Sequence, residues 1–333
     1  MTNEQTNYEK FQKAAHPKTV NTLKNYPSIK GYDFENGFKS KEFFESFLST
    51  GFQATELGKA IHVAKEMINS KVTIYLSFTG NVISSGLHDI IRYLVKHNKV
   101  HVIITTASGV EEDVIKSMTD FKMGDFEVQG RQLFENGIGR IGNIFVPSDR
   151  YLIFERFINP LFVEMNDEQQ KRGKPFTPVE ITKLIGERLN EKSYLYWAAK
   201  KGISVYCPGI MDGSFGDLVY FFKKKRPGFH IDVTEEYKRL VDYTLQQDKT
   251  GVISLGGGIA KHYGLNAQIF REGADYSVYL TTAQEFDGSD SGGNQEEAKT
   301  WAKVKVNALT AKVKADFTIT FPILVAAVFL EKP

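Results

Sequence analysis

Short apolar runs alternate with longer amphipathic segments from about residue 70 onwards. Runs rich in β-branched residues predict strands, whereas apolar positions that recur every three or four residues predict helices. Strands joined by helical crossovers form a parallel sheet, so the alternation predicts an α/β fold with flanking helices. The predicted strands are residues 72–78, 100–105, 204–206, 251–255 and 276–280, and the predicted helices are residues 87–97, 111–118, 178–189, 235–247 and 259–272.

The segments before residue 70 have a different pattern. Residues 1–30 are polar and form an N-terminal extension, whereas residues 41–48 and 54–68 have the apolar spacing of helices and predict a helical region that covers one flank of the sheet. Residues 166–174, NDEQQKRGK, are the most polar internal stretch and predict a loop or an insertion. We find no internal repeat and no sharp domain boundary.

Composition and charge exclude several classes of protein. Of the 333 residues, 41% are hydrophobic and 25% are charged, which suffices for one large α/β domain or two ordinary ones. The formal net charge is only +2 and the lysines are dispersed, which argues against a nucleic acid or an anionic membrane as a partner. Cys207 is the single cysteine, so we expect a reducing compartment, no internal disulfide and no metal site. The N-terminus has no apolar secretion signal and the apolar run 321–330 is too short to span a bilayer, so we expect a cytoplasmic protein.

The turns that follow the predicted strands are small, hydroxylated or rich in glycine. They comprise residues 79–86, 105–109, 256–258 and 281–283. Because the carboxyl ends of parallel strands open on one edge of a sheet, these turns should lie together and present N–H groups to a phosphate. Neither the G-x-G-x-x-G fingerprint nor a phosphate-binding G-x-x-x-x-G-K-[ST] loop occurs, so a nucleotide would bind in a nonstandard way.

The stretch 282–303 combines acids, small residues and a possible nucleophile. Its five carboxylates are Glu285, Asp287, Asp290, Glu296 and Glu297, and Trp301 and Lys303 follow them. A run with acids alone is either a solvated loop or a site for a cationic ligand. The spacing does not match a calcium loop. A lysine is a nucleophile only when it is unprotonated, and Trp301 could shelter Lys303 from water.

Other candidates are ambiguous by themselves. Glu111 and Glu112, at a predicted helix start, suit ribose hydroxyls but also suit the dipole of the helix. Asp212 and Asp217 add two acids to the same edge, where they could grip a polycation together with the acidic stretch. A lone histidine such as His262 is more often structural than catalytic.

Together these segments resemble the deoxyhypusine synthase family, from residue 31 almost to the C-terminus. The matching stretches, in family order, are GYDFENG, TGFQAT, FTGNVISSGLHDIIRYLV, TTASGVEEDVIK, GRIGN, DGSFGD, LGGGIAKH, GADYSVYLTTAQEFDGSDSG and Trp301-Ala302-Lys303. The resemblance implies a single NAD-binding domain over residues 31–333 with a Rossmann-like parallel sheet, in a homotetramer whose active sites are shared across dimer interfaces.

The resemblance also implies a reaction. NAD oxidises spermidine at its secondary amine, 1,3-diaminopropane leaves, and an enzyme lysine carries the aminobutyl group as an imine. One lysine of the translation initiation factor 5A precursor receives that group, and the retained NADH reduces the product imine to deoxyhypusine.

By resemblance, Lys303 matches the imine-forming lysine, Trp301 the tryptophan of the polyamine tunnel, and His262 the active-site histidine. The positions that match the polyamine site are Asp217, Asp290, Glu297, Asn266 and Tyr279. The positions that match the NAD site are Asn81, Thr105, Ala107, Glu112, Asp212, Gly257, Thr282, Ala283, Asp287, Ser289, Ser291 and Asp316.

Four positions depart from the commoner family pattern. Gly80 stands where serine is frequent, Ser108 replaces a glycine, Tyr263 replaces a second histidine, and Ala302 replaces the glycine before the lysine. None of these changes removes a charged or nucleophilic group. Two alternatives stay open: a homospermidine synthase, which passes the aminobutyl group to putrescine, and a catalytically silent subunit of a mixed tetramer.

Overall fold

The computed structural model describes residues 3–15 and 23–330. In chain order the strands are β1 (Thr73–Phe78), β2 (Val102–Ile104), β3 (Lys122–Met123), β4 (Ile138–Ile141), β5 (Ile144–Pro147), β6 (Ser204–Tyr206), β7 (Thr250–Leu255), β8 (Ala274–Thr281) and β9 (Val304–Lys314). The α-helices are α1 (Asn3–Ala15), α2 (Ser40–Thr50), α3 (Phe52–Asn69), α4 (Asn81–Ser84), α5 (Leu87–Lys96), α6 (Ala107–Met118), α7 (Gly130–Glu135), α8 (Asp149–Arg172), α9 (Pro178–Glu187), α10 (Tyr194–Lys201), α11 (Ser214–Lys225), α12 (Val233–Leu245), α13 (Gly258–Ile269), α14 (Gln295–Thr300) and α15 (Phe317–Val325). A π-helical turn (Ala326–Leu330) follows α15.

The main sheet is parallel and has the strand order β6-β2-β1-β7-β8-β9. From β1 the chain proceeds outward through β2 to β6, and then returns to the other side of β1 through β7, β8 and β9. This is the order of a Rossmann fold, in which the direction of progress reverses between two central strands, here β1 and β7. The predicted Rossmann-like sheet is therefore confirmed.

Both faces of the sheet are buried, because successive residues of a strand point to opposite sides. In β1, Ile74 and Leu76 pack with α3, α5 and α15 on one face, whereas Tyr75 packs with α12 and α13 on the other. All six residues of the central strand β7 are buried. The near-continuous apolar runs from which the strands were predicted reflect this double burial.

The five predicted strands and the five predicted helices are all present, with ends shifted by a few residues. The predicted N-terminal helices correspond to α2 and α3, and α3 packs against β8 and β9 as expected for a helix that covers one flank. Of the predicted N-terminal extension, residues 1–2 and 16–22 lie outside the described residues.

The prediction of a loop at residues 166–174 is wrong. Residues up to Arg172 form the last two turns of α8, which ends where Gly173 adopts a left-handed conformation with φ of 68°. Glutamate, glutamine, lysine and arginine all favour helices, so a polar run can be the exposed end of a helix whose inner face is buried. Met165 and Asn166 supply that buried face.

Several elements were not predicted. Strand β9 forms the edge of the main sheet, and a separate three-stranded sheet has the order β3-β5-β4. Cys207 is buried and carries a free thiol. Among the described residues, none of the helices combines the length and the apolar composition that crossing a bilayer requires.

Candidate active site

Most of the predicted site residues lie beyond the carboxyl ends of the parallel strands, at the edge where the strand order reverses. The first group follows β1 and β2 and consists of Asn81, Thr105, Ala107 and Glu112. The second group follows β7 and β8 and consists of Gly257, His262, Asn266, Thr282, Ala283, Asp287, Ser289, Asp290, Ser291 and Glu297. Asp316 follows β9, where its side chain caps α15 by accepting a hydrogen bond of 2.7 Å from the N–H of Thr318.

Lys303 reaches the site from the opposite end of the sheet. It precedes β9, and its carbonyl accepts a hydrogen bond of 3.1 Å from the N–H of Ala274, the first residue of β8. Its half-buried side chain lines a cavity of about 30 Å³ between α13 and α14. The cavity is lined by Lys261, Leu265, Tyr279, Asp290, Gly293, Asn294, Glu297, Ala298, Trp301 and Lys303. This volume holds only one or two water molecules.

Two polar atoms beside this cavity are buried without a hydrogen-bond partner in the described part of the chain. They are the hydroxyl of Tyr279 and the Oδ2 atom of Asp290. Buried polar groups are almost always satisfied, and exceptions mark places where a ligand or solvent completes the bonding. A carboxylate oxygen and a phenolic oxygen facing one cavity can both accept hydrogen bonds from an amine.

Lys261, on α13, holds the acidic loop, which is residues 285–293 between β8 and α14. This lysine is buried, and its ammonium group donates hydrogen bonds to the main-chain carbonyls of Asp290 and Gly293 and lies 4.5 Å from the centre of the Tyr279 ring. Burial lowers the pKa of Lys261, and the nearby carboxylate of Asp290 opposes that effect. The loop position of Asp290 therefore depends on a side chain from another element.

Two further lysines fix the same loop from β9. Lys312 donates to the carbonyl of Gly292 and, over 3.2 Å, to the carboxylate of Glu285. Lys314 donates to the other oxygen of Glu285 over 2.7 Å. Lys314 in particular, with help from Lys312, lowers the pKa of Glu285 to about 2. The negative charge of Glu285 is thus balanced by two lysines of the same chain, whereas the carboxylates of Asp290 and Glu297 line the cavity.

His262 and Asn266 form a pair on the exposed side of α13. Their side chains lie one turn apart and their nitrogen atoms Nδ1 and Nδ2 are 3.3 Å apart. His262 is exposed and does not line the cavity that holds Lys303. Trp301 is 64% exposed, so within one chain its ring covers the mouth of the cavity only in part.

The turns after β1 and β2 are joined by hydroxyl and carboxylate contacts. Ser84 donates a short hydrogen bond to Glu112, and Lys116 donates to the carbonyls of Ile83, Ser84 and Ser85. Burial raises the pKa of Glu112 to about 7, although the bond from Ser84 and the charge of Lys116 lower it. A carboxyl group with such a pKa changes its charge near neutral pH.

The turn after β7 approaches the acidic loop closely at Gly257. A Cβ atom at this position would lie 2.5 Å from the Oγ atom of Ser291 and closer still to the Cα atom of that residue. Only glycine allows the two loops to touch here. Asp287 supports its own turn by accepting a hydrogen bond of 2.9 Å from the N–H of Gln284.

Asp212 and Asp217 lie near β6, at the opposite edge of the main sheet from Lys303. Both belong to the segment after β6, and Glu111 fixes that segment by accepting a hydrogen bond of 2.7 Å from the N–H of Phe215. Four strand spacings separate β6 from β8, or about 19 Å. Within one chain Asp217 is therefore far from Asp290 and Glu297.

The sequence pattern did not predict that four side chains fix the loops of the site in place: Glu111, Lys116, Lys261 and Lys312. Each of them makes hydrogen bonds to main-chain groups of another segment. The described residues contain no group of three or more histidine, cysteine, aspartate or glutamate side chains that could hold a metal ion.

Comparisons with known proteins identify the family of the chain. The family model described as deoxyhypusine synthase matches residues 42–328. A deoxyhypusine synthase of Senecio vernalis is 43% identical, over 91% of this chain and 89% of that protein. A protein of Methanocaldococcus jannaschii that is named as a deoxyhypusine synthase is also 43% identical, over 90% of this chain and 96% of the relative.

A solved structure has the same fold. It is a candidate deoxyhypusine synthase from Entamoeba histolytica that is 28% identical, with a TM-score of 0.67, and the match covers 91% of this chain and 97% of that one. The family match spans most of the chain, and its relatives come from organisms as distant as a plant and an archaeon. The chain belongs to the deoxyhypusine synthase family and is an enzyme of the transferase class.

Proposed function

We propose that this enzyme transfers the aminobutyl group of spermidine, through an imine on Lys303, to one lysine of the translation initiation factor 5A precursor. One observation carries the proposal: Lys303 shares a cavity with Asp290, whose Oδ2 atom is buried and unpartnered. A primary amine beside a carboxylate suits a cationic amine substrate that forms a covalent bond to the enzyme. Glu297 adds a second negative charge.

NAD fits the edge where the strand order reverses. Open parallel sheets bind dinucleotides outside the carboxyl ends of the strands at such a reversal. Two observations of these loops support the fit: the buried Oγ1 atom of Thr105 has no hydrogen-bond partner among residues 3–15 and 23–330, and a side chain at Gly257 would have no room. Residues after β1, β2, β7 and β8 would hold the cofactor, with Glu112 accepting hydrogen bonds from ribose hydroxyls. When bound, NAD supplies hydride transfer to and from the substrate carbon.

The chain's own residues bind the amine, move a proton and form the covalent bond. Asp290 and Glu297 hold the ammonium groups of spermidine, and Tyr279 accepts a hydrogen bond. His262 accepts the proton that the secondary amine loses on oxidation, and Asn266 orients its ring. Unprotonated Lys303 then attacks the oxidised carbon, a C–N bond forms, and 1,3-diaminopropane leaves with the displaced nitrogen. Attack by the acceptor lysine frees Lys303 again.

The proposed assembly is a homotetramer with sites shared between subunits. In one chain, Asp217 and Lys303 lie at opposite edges of the main sheet. A polyamine that contacts both residues therefore requires Asp217 from a second copy. Exposed apolar side chains at α13 and β9 support burial of this part of the surface by another subunit: Ile259 in α13, Phe270 directly after that helix, and Val306 and Leu309 in β9. We also propose a cytoplasmic location, where the thiol of Cys207 stays reduced.

An acceptor assay tests the reaction. Purified protein is incubated with spermidine and NAD, together with either the factor 5A precursor or putrescine, and mass spectrometry follows both acceptors. We expect the precursor to gain an aminobutyl group. Labelling of putrescine alone would instead identify a homospermidine synthase, and labelling of neither would favour the silent subunit.

Mixing two inactive variants tests the shared site. Lys303→Ala and Asp217→Ala each disable one half of a site, so both variants are expected to be inactive alone. If the halves come from different subunits, dissociating and reassociating a mixture creates some sites with both native residues, and activity returns. No recovery, with mixed assemblies confirmed by mass, would show that each chain supplies both residues itself.

A further inference from the structure

Gly80, in the turn after β1, lies directly against Ser108, in the first turn of α6. A Cβ atom at position 80 would lie 2.5 Å from the Cβ atom of Ser108 and closer still to its hydroxyl oxygen. Rotation of the serine side chain moves the hydroxyl but leaves its Cβ atom in place. A side chain at position 80 is therefore incompatible with Ser108 unless the backbone shifts.

Space alone excludes a side chain at position 80. Gly80 has φ of −54° and ψ of −36°, a right-handed helical conformation that any residue adopts without strain. Without the side chain of Ser108, the closest remaining neighbour of an added Cβ atom is the backbone nitrogen of Gly109, at 3.1 Å. A shift of a few tenths of an ångström relieves that contact.

The hydroxyl of Ser108 belongs to a small network that joins the two turns. Thr106 accepts a hydrogen bond of 3.0 Å from the N–H of Gly80, and its Oγ1 atom lies 3.2 Å from the Oγ atom of Ser108. Gly80 is buried, whereas Ser108 is half-buried. The hydroxyl thus lies at the contact between the two turns that follow β1 and β2.

We infer that positions 80 and 108 form a coupled pair, in which only one of the two residues can carry a side chain, and in this chain Ser108 carries it. A serine at position 80 with a glycine at position 108 would keep one hydroxyl and one bare Cα atom at the same contact, with their places exchanged. Ser108 then supplies the hydroxyl group of this contact to the dinucleotide site, and this last step rests on the proposed function.

A double-mutant cycle tests the coupling with two readouts, the midpoint of thermal unfolding and the affinity for NAD measured by calorimetry. The variants are Gly80→Ser, Ser108→Gly and the double exchange. We expect Gly80→Ser to lower the midpoint and to weaken NAD binding at least tenfold, and Ser108→Gly to weaken binding several-fold. The double exchange should recover the midpoint and bring the affinity to within about threefold of the native protein.

Gly130→Ser is the matched control. Gly130 is the exposed first residue of helix α7, outside the turns that follow the main-sheet strands, and an added Cβ atom there meets nothing within 4 Å. We expect this control to change neither readout. If the losses of the two single variants simply add in the double exchange, the positions are independent and the inference is wrong. A native protein that does not bind NAD would overturn the proposed function, whereas the thermal cycle would still decide the coupling.

Discussion

The ammonium group of Lys261 lies 4.5 Å from the centre of the Tyr279 ring, between helix α13 and strand β8. From this position it also donates to the main-chain carbonyls of Asp290 and Gly293. A buried cation held by an aromatic face and two carbonyls fixes the loop that carries the substrate-facing carboxylate.

The first prediction concerns this contact. Lys261→Met keeps the volume of the side chain and removes its charge, so the acidic loop loses its attachment to α13. Charge-assisted hydrogen bonds contribute roughly 1.5–3 kcal/mol, so we expect KM for spermidine to rise about tenfold or more, with a smaller change in kcat. Steady-state kinetics measures both values.

Lys299→Met is the control for Lys261→Met. The ammonium group of Lys299 donates a hydrogen bond of 2.6 Å to Glu296, and both residues belong to the short helix α14. Among the described residues, Lys299 makes no hydrogen bond to the acidic loop 285–293. We expect little change in this variant. Equal KM values for native protein and Lys261→Met would mean that the loop keeps its position without the lysine.

The second prediction is a pH dependence of NAD binding. Burial raises the pKa of Glu112 to about 7, so the group is mostly protonated at pH 6 and mostly ionised at pH 8. Only the ionised carboxylate accepts hydrogen bonds from both ribose hydroxyls. The affinity for NAD should therefore rise about tenfold between pH 6 and pH 8. In Glu112→Gln we expect weaker binding and a flat profile; a rise that persists in this variant would assign the titration to another group.

The third prediction concerns a buried carboxyl group outside the site. Among the described residues, neither buried side-chain oxygen of Glu236 has a hydrogen-bond partner within the usual distance and angle. Burial raises the pKa of Glu236 to about 8 from 4.5, although the nearby main-chain N–H groups of Val179 and Cys207 lower it. Between these two pH values the folded protein holds a proton that the unfolded chain releases, so the stability falls as the pH rises. The proton is bound in both states below this window, and the loss is complete above it.

Glu236→Gln removes this titration. We expect the variant to gain stability over the native protein progressively between about pH 5 and pH 8, reaching on the order of 4 kcal/mol at pH 8. Urea unfolding at several pH values measures the difference. A difference that does not depend on pH would mean that Glu236 is ionised in the folded protein throughout.

The fourth prediction uses Ala302, which has a positive φ of 53°. An L-residue in this left-handed conformation is strained and glycine is not, which would account for the glycine that the family resemblance implies at this position. We expect Ala302→Gly to raise the free energy of unfolding by about 1 kcal/mol. Ala54→Gly, inside helix α3, should instead lower it by about 0.5–1 kcal/mol. If both substitutions destabilise to the same degree, the strain at Ala302 is negligible.

The sequence predicts most of the main sheet because its central strands are buried on both faces and therefore appear as apolar runs. Strand β9 was missed because it forms an edge, where apolar residues such as Val304 alternate with exposed polar ones such as Asn307. The helical end of α8 was mistaken for a loop because its residues are polar but favour helices.

The candidate site was predictable in part. Turns that follow strands could be located from the apolar pattern, and the acidic stretch stands out by composition. The role of Lys261 leaves no local signal, since its hydrogen-bond acceptors lie 29 and 32 residues away in the chain. The exchange between Gly80 and Ser108 is visible as two separate departures, but only the packing of the two turns relates them.

The central claim is that Lys303 carries the aminobutyl group, and chemical trapping tests it most directly. Native protein is incubated with spermidine and NAD, reduced with borohydride and digested, and the peptides are analysed by mass spectrometry; Lys303→Arg, which keeps the charge but cannot form the imine, is treated in parallel. We predict an aminobutyl adduct on Lys303 in the native protein, and neither adduct nor transfer in the variant. Transfer by Lys303→Arg at the native rate would contradict the account.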